Sequence, residues 1–419
     1  MLAARSGGFD DRTFWKGRRS MSSSTSTLPV RADRDFRRVV WLALALFLSY
    51  LCVAMSLPVT SVYVTTRLGF GNALAGLAVG IAFAATIVTR AMAGRIADHR
   101  GGKYCTIQGL YVYTLAGLIC LAASWPGFPA PAAYGVLIVG RLLLGVGESL
   151  ALVGLLAWGF GIMGPQGSGR VLALVGMGLY GAFAVGSPIG LALFDWAGFA
   201  GVMGACALVP LVGLAMVLPV AAVALHVGER LPFWHIIGRI WEPGLVVCLQ
   251  GVGFAAIGAF MPLLFLHQDW SHAGLGLTCF GGAFVLVRVL FGHLPDRIGA
   301  IPVALVSMAV EVVGQYLLWT AASPEMALAG AFLTGLGCSL VFPAMGIEVV
   351  RRIPPHLRGT AMGGFAAFQD LAYGGTGPLT GLLADRFGYG VVFLVGGLAA
   401  SLGFALVIVI ARKDRKQAA

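Results

Sequence analysis

The sequence predicts an all-α membrane protein in which twelve transmembrane helices form two pseudo-symmetric six-helix bundles. Three observations carry that reading. Of 419 residues, 58% are hydrophobic and 11% charged, with a mean hydropathy of +0.89, where a soluble chain averages about 25% charged residues. Apolar runs of about 20 residues, long enough to cross a bilayer as a helix, recur along the whole length. A pattern of glycine, arginine and aspartate from the first half returns in the second.

In chain order, we place spans near 39–65, 72–94, 104–124, 132–160, 170–194 and 198–225. The second six lie near 242–266, 272–293, 301–321, 325–349, 358–384 and 388–411. Charge marks many of the ends: Arg38 precedes the first, Arg95 follows the second, Lys103 precedes the third, Asp385 follows the eleventh and Arg412 follows the twelfth. Glycine makes up 61 of the residues, and small residues let helices approach closely where lipid supplies no hydrophobic drive between them. Gly76–Gly80, Gly186–Gly190 and Gly377–Gly381 have the spacing for that use. Residues 1–38 form a basic, serine-rich arm expected to be disordered, and Met21 offers an alternative start. Residues 39–226 and 242–411 are the two bundles, 227–241 a central polar loop and 412–419 a basic tail.

The formal net charge is +11, which raises the question of nucleic acid. Its distribution answers against one. With the arm placed in the cytoplasm, Arg90, Arg141 and Arg288 lie within spans, and of the 28 Lys and Arg residues only Arg67 and Arg386 fall outside. This is the positive-inside pattern for an even number of spans with both termini cytoplasmic. The seven cysteines sit in or beside spans with neither zinc nor disulfide spacing, so they read as packing residues.

"TRAMAGRIAD" and "VRVLFGHLPD" superpose at an offset of 198, aligning Arg90 with Arg288, Gly94 with Gly292, Asp98 with Asp296 and Gly101 with Gly299. "GVGESL" matches "GLGCSL" at an offset of 190, where Pro188, Asp195 and Gly198 meet Pro378, Asp385 and Gly388. Tandem six-span repeats describe one transporter architecture, with its substrate site at the midplane between two rocking halves.

These stretches resemble the major facilitator superfamily. "GRIADHRGGK" is similar to its loop 2–3 signature and "GHLPDRIG" to the echo between spans 8 and 9. "RLLLGVGES" resembles its span 4 arginine motif and "GSPIGLAL" its span 5 glycine-proline motif, associated with antiporters. "CSLVFPAMGIEVV" and "GGTGPLTGLLAD" are most like a bacterial branch of the YhhS/YfcJ type, which names no substrate. Departures are His99 and Gly102 at usually basic positions and Ser187 where a glycine precedes Pro188; Gly377, Pro378 and Gly381 keep the pattern better. Pro188, Gly190, Gly377, Pro378 and Gly381 are therefore bend and packing candidates.

The resemblance implies a conformational latch at Gly94, Asp98, Gly101, Lys103 and Arg90, echoed at Gly292, Asp296, Arg297, Gly299 and Arg288. Asp98 would accept hydrogen bonds at the start of span 11 near Arg358, formed only when the cytoplasmic side is closed. An ordinary surface turn with topogenic bases is the alternative.

A charge at a span centre costs about 2.5–3.5 kcal/mol on insertion scales, so such groups pair or face a cavity. Arg141, Gly145 and Glu148 share one helix face, and Arg141 and Glu148 are separated by about 10 Å along the axis, too far for a simple pair. Burial favours the neutral form of a carboxyl and a nearby arginine the ionised form, a balance that can carry a proton. Glu148, Arg141, Asp370 (beside Gln369) and Glu311 are the proton-coupling candidates. In the family, spans 1, 4, 7 and 10 line the cavity, which favours Arg141 and Glu148 over Glu311. The competing reading is a buried polar network that holds helices together. Tyr50, Phe183, Gln250, Phe254, Ser339 and Phe342 are cavity candidates, each also suited to packing. We assign no metal to His267 and His272. "GMGLYG" lies within a span with no preceding strand, so it is no dinucleotide site; no phosphate-binding loop or protease motif occurs either. We expect a monomer without cofactor or enzymatic activity, moving a small organic molecule through the lipid bilayer of the bacterial inner membrane by proton antiport. Proton symport and a non-transporting receptor are the alternatives.

Overall fold

A computed structural model describes residues 28–164, 167–223, 234–354 and 358–418. In lipid, a spanning backbone must satisfy its own polar groups, which leaves helix as the solution for apolar runs of this length. Among the described residues there is helix and no strand. The elements are α1 (Leu28–Val62), a π-helical turn (Tyr63–Arg67), α2 (Asn72–Arg100), α3 (Gly102–Ala122), α4 (Ala130–Met163), α5 (Ser168–Val217) and α6 (Trp234–His267). They continue with α7 (Leu275–Phe291), the short α8 (Leu294–Ile298), α9 (Ala300–Trp319), α10 (Pro324–Arg352), α11 (Arg358–Phe387) and α12 (Gly390–Ala418). Among the described residues, nine of these helices are long and apolar enough to cross a membrane, and α7 is a shorter apolar helix.

Boundaries differ from the sequence reading in four places. α1 begins at Leu28, inside the segment expected to be disordered, whose residues 1–27 lie outside the described ones. α6 begins at Trp234, inside the expected central loop, and α12 continues through most of the expected tail. The fifth and sixth spans run together as α5, 50 residues long, broken only where Gly198 takes φ 65°. Polar flanks lengthen a helix past its apolar run because water, unlike lipid, tolerates either conformation there.

The internal repeat is visible in the backbone. Gly101 and Gly299 have φ of 92° and 97°, and Gly198 and Gly388 have 65° and 80°. Both pairs are related by the sequence offsets, and both require a left-handed conformation that glycine adopts without steric cost. Helix contacts repeat as well. A side chain on Gly145 would overlap the carbonyl of Ala82, and one on Gly335 that of Phe280. A methyl on Gly147 would lie 3.0 Å from Tyr113 N, and one on Gly337 2.6 Å from Glu311 N. The two bundles therefore share one packing scheme.

They meet along two seams, α2 with α11 and α5 with α7. Gly76 faces Gly377 backbone to backbone, Gly80 faces Gly374, and Gly381 faces Asn72. Gly274 packs on Pro188, and Gly281 lies against Ala184, with a would-be methyl 2.8 Å from its N. Gly186 and Gly190 instead pack inside the first bundle on Ala54 and Met55 of α1. Trp196, Val88, Trp125 and Leu208 are exposed on the outside, an apolar periphery suited to lipid. All seven cysteines are free, and five of them are buried.

Candidate functional site

α4 carries the charges that drew attention in the sequence, and the two make different contacts. Arg141 is 1% exposed. Its Nε donates to Ala78 O at 2.9 Å, Nη2 to Val79 O at 3.2 Å and Nη1 to Ser56 Oγ at 2.9 Å. Gly145, one turn on, admits the α2 backbone, and Thr86 Oγ1 donates back to Gly145 O at 3.2 Å. Arg141 thus fastens α4 to α2 and α1. Glu148 accepts from the Tyr50 hydroxyl at 2.8 Å through Oε1, whereas its buried Oε2 has no partner among the described residues. As the axial spacing required, the two do not pair.

Across the seam, Arg90 of α2 forms an ion pair with Asp370 of α11, with side chains 16% and 9% exposed. Sequence reasoning placed these residues in separate roles, the latch and the proton site; the fold joins them. The charges of Asp370, Arg90 and Arg141 all act on Glu148, so two carboxyls and two guanidinia form one electrostatic group spanning both bundles. Beside it, Gln369 Nε2 donates to the hydroxyls of Tyr373 at 2.7 Å and Tyr180 at 3.3 Å, which are 3.0 Å from each other.

An aromatic cluster adjoins these hydroxyls. Phe254 lies 4.9 Å from Phe183, 4.8 Å from Tyr373 and 5.1 Å from Phe280 between ring centroids, and Tyr180 stacks on Phe284 at 3.6 Å. A small apolar cavity at the seam is lined by Leu57, Val79, Phe83, Phe254, Gly258 and Tyr373, among others. Of the six cavity candidates, Tyr50, Phe183 and Phe254 come together here, and Gln250 lies one turn from Phe254 on α6. Ser339 donates to Phe284 O at 2.8 Å between α10 and α7, and Phe342 packs on Phe365 at 4.8 Å within the second bundle. Glu311 is fully buried on α9, away from this group.

The latch candidates spread out. Gly94 and Asp98 close α2, and Gly101 turns the chain into α3. Lys103 Nζ donates to Leu218 O at 2.6 Å and Val220 O at 2.8 Å, satisfying carbonyls at the end of α5 instead of joining the bundles. Gly292 ends α7, with Asp296 and Arg297 exposed in α8 before Gly299. Arg288 lies over the Phe284 ring at 5.1 Å. Arg358 starts α11, and its side chain lies outside the described residues.

One contact was missed. At the opposite end of the α2–α11 seam, Asp385 Oδ1 accepts from Asn72 N and Nδ2, both at 2.9 Å, and Oδ2 from Ala73 N at 3.2 Å. Tyr389 donates to Asn72 Oδ1 at 3.1 Å. A carboxylate from the second bundle therefore caps a helix of the first, where free amides and the dipole favour an anion. The repeat that aligned Asp195 with Asp385 held the signal for an important acid there, without its partner.

The sequence profile of the Major Facilitator Superfamily matches residues 42–232 and 244–419. The chain is 43% identical over 370 residues to an uncharacterized MFS-type transporter of Salmonella typhimurium, covering 88% of this chain and 95% of that one. It is 38% identical over 380 residues to another such transporter of Pseudomonas aeruginosa, covering 90% and 94%. Among solved structures, a D-xylose-proton symporter superposes with a TM-score of 0.74 at 16% identity, over 89% of this chain and 96% of that one. The nucleoside transporter NupG does so with 0.72 at 13%, over 89% and 99%. At these identities the structures speak for the fold alone.

Proposed function

Because the chain belongs to the Major Facilitator Superfamily, and is thereby a membrane transporter and not an enzyme, we propose that it exports a small organic solute across the bacterial inner membrane, driven by proton counterflow. In this reading α5 supplies two traverses, one on each side of Gly198, and α7 and α11 complete twelve. Both termini are cytoplasmic, and the bundles at 39–226 and 242–411 rock about the seams as a monomer.

The observation that carries the coupling is the unequal treatment of two neighbouring carboxyls. Asp370 is neutralised by Arg90 from the other bundle, whereas Glu148 has one phenolic donor and a bare Oε2. Separating α2 from α11 parts Arg90 from Asp370 and changes the charge that Glu148 experiences. Proton binding at Glu148 and the position of the bundles are thereby linked, as coupling requires. Arg141, held by α1 and α2, supplies a fixed positive charge. The aromatic walls of Phe254, Phe183 and Tyr373 suit a solute with an apolar body. Asp98 on the inner side and Asp385 on the outer side bias the two closed states.

A deletion strain and an overexpressor, screened against toxic compounds and sole carbon sources, test direction. Resistance on overexpression supports export, and lost growth in the deletion strain turns the reading to symport. With the compound so found, proteoliposomes under an imposed pH gradient test coupling. Glu148→Gln should lose gradient-driven transport and keep substrate exchange; gradient-driven transport at the parental rate removes Glu148 from the role.

A further inference from the structure

α9 carries a carboxyl that the coupling group at the seam does not use. Glu311 is 0% exposed, and neither of its oxygens has a hydrogen-bond partner among the described residues. No arginine or lysine figures among the groups that act on it; its polar neighbour is the Cys338 thiol of α10. An isolated ionised carboxylate is among the costliest groups to bury, and the cost is relieved only by a bound cation, a proton included.

The surroundings supply acceptors and few donors. Gln315, one turn along α9 and 0% exposed, donates Nε2 to Thr334 Oγ1 at 3.1 Å, and Thr334 Oγ1 donates to Gly330 O at 2.8 Å. With its own hydrogen committed to Gly330, the Thr334 hydroxyl can only accept from Gln315, so the amide orientation is fixed and Gln315 Oε1 is left without a donor. Gln250 of α6, 1% exposed, likewise leaves Oε1 unpartnered. Cys338 lies beside both Gln250 and Glu311, which brings α6, α9 and α10 to one point. Glycines make the approach close: a methyl on Gly253 would sit 3.0 Å from Glu311 Oε1 and 2.8 Å from Gln315 Nε2, and one on Gly337 2.7 Å from Glu311 Cβ.

We propose that Glu311, Gln250 and Gln315 form a site for a small monovalent cation, sodium or a proton, inside the second bundle. Oxygens with one negative charge, no competing base and a dry surround suit a cation that sheds its water, and no other ligand class matches a set of bare acceptors. The repeat gives the site a counterpart. Glu311 stands where the first bundle has Tyr113, and Cys338 where it has Glu148, so each bundle holds one carboxyl at the same glycine-lined seam, contributed from opposite helices. In the first bundle arginines balance that charge; in the second a mobile cation does. The site does not rest on proton antiport at Glu148, and it persists if transport runs inward.

The test uses the full-length protein in lipid nanodiscs. Thermal unfolding is followed as NaCl replaces choline chloride at constant ionic strength, and infrared spectra follow the protonated-carboxyl band from about pH 5 to 10. A sodium-dependent rise in Tm that survives in Glu148→Gln, with apparent affinity falling by more than about 10-fold in Glu311→Gln, identifies sodium. Absence of a sodium effect, with a Glu311-dependent band that vanishes as pH rises, identifies the proton. A Glu311-dependent band constant across the whole range with no sodium effect overturns the proposal, because the acid is then a permanently neutral packing group. If Glu311→Gln does not fold, Gly253→Ala keeps every polar group while crowding the site; it should weaken the same signal, and an unchanged signal there also overturns the site.

Discussion

Replacing Asp385 with asparagine should loosen the outer end of the α2–α11 seam and leave the bundles themselves intact. The native carboxylate accepts three hydrogen bonds, two at 2.9 Å from Asn72 and one at 3.2 Å from Ala73 N. Asparagine retains one acceptor oxygen and loses both the second and the charge. A capping contact of this type contributes about 0.5–2 kcal/mol, and an anion at a helix N-terminus about 0.3–1 kcal/mol. Asp385 is exposed, so water and salt reduce both. A total of about 1–2 kcal/mol follows, which lowers the ratio of outer-closed to outer-open molecules by roughly 5- to 30-fold. Pulsed electron paramagnetic resonance between spin labels at Arg67→Cys and Phe387→Cys reads that ratio, since both positions are exposed beside the contact. The variant should show a longer-distance population absent or minor in the parent, and added salt should shift the parent in the same direction. An identical distance distribution in parent and variant refutes the idea that Asp385 holds this end closed.

Breaking the inner pair is more damaging than removing it. Asp370→Asn leaves the Arg90 guanidinium without its counterion in a largely buried seam, a loss of about 3–5 kcal/mol. The double replacement Arg90→Met with Asp370→Leu should recover most of the thermal stability in detergent while transport stays lost; recovery of transport would show that the pair only packs. Gly145→Ala should lower the yield of folded protein, because its methyl overlaps the Ala82 carbonyl and overpacking costs about 1–3 kcal/mol. Fluorescence-detected size exclusion measures that yield, and a parental profile would mean that α2 and α4 can separate at that point without penalty.

How much of this was legible in the sequence varies by residue. The spans and the repeat were plain, because lipid demands long apolar helices and a duplicated packing scheme keeps its glycines at fixed offsets. That Arg141 and Glu148 do not pair followed from helix geometry alone. Their actual partners did not: Arg141 is held mostly by the carbonyls of Ala78 and Val79, and backbone atoms leave no mark in residue identity. Arg90 and Asp370 are 280 residues apart, each an isolated charge whose counterpart no local pattern names. Lys103 read as part of a latch and proved to satisfy the end of α5, since a basic residue after a glycine turn fits either use.

Composition and periodicity by themselves determined that this chain is a membrane-embedded, duplicated helical bundle, because the bilayer permits few other forms for so apolar a sequence. Only the tertiary structure decided which charges are neutralised and which are left bare. Asp370 met an arginine from the other bundle, Glu148 met a phenol, and Glu311 met acceptors and a thiol. Those outcomes depend on how helices distant in sequence turn toward one another, and the energy of a buried charge depends on its neighbours far more than on its own identity.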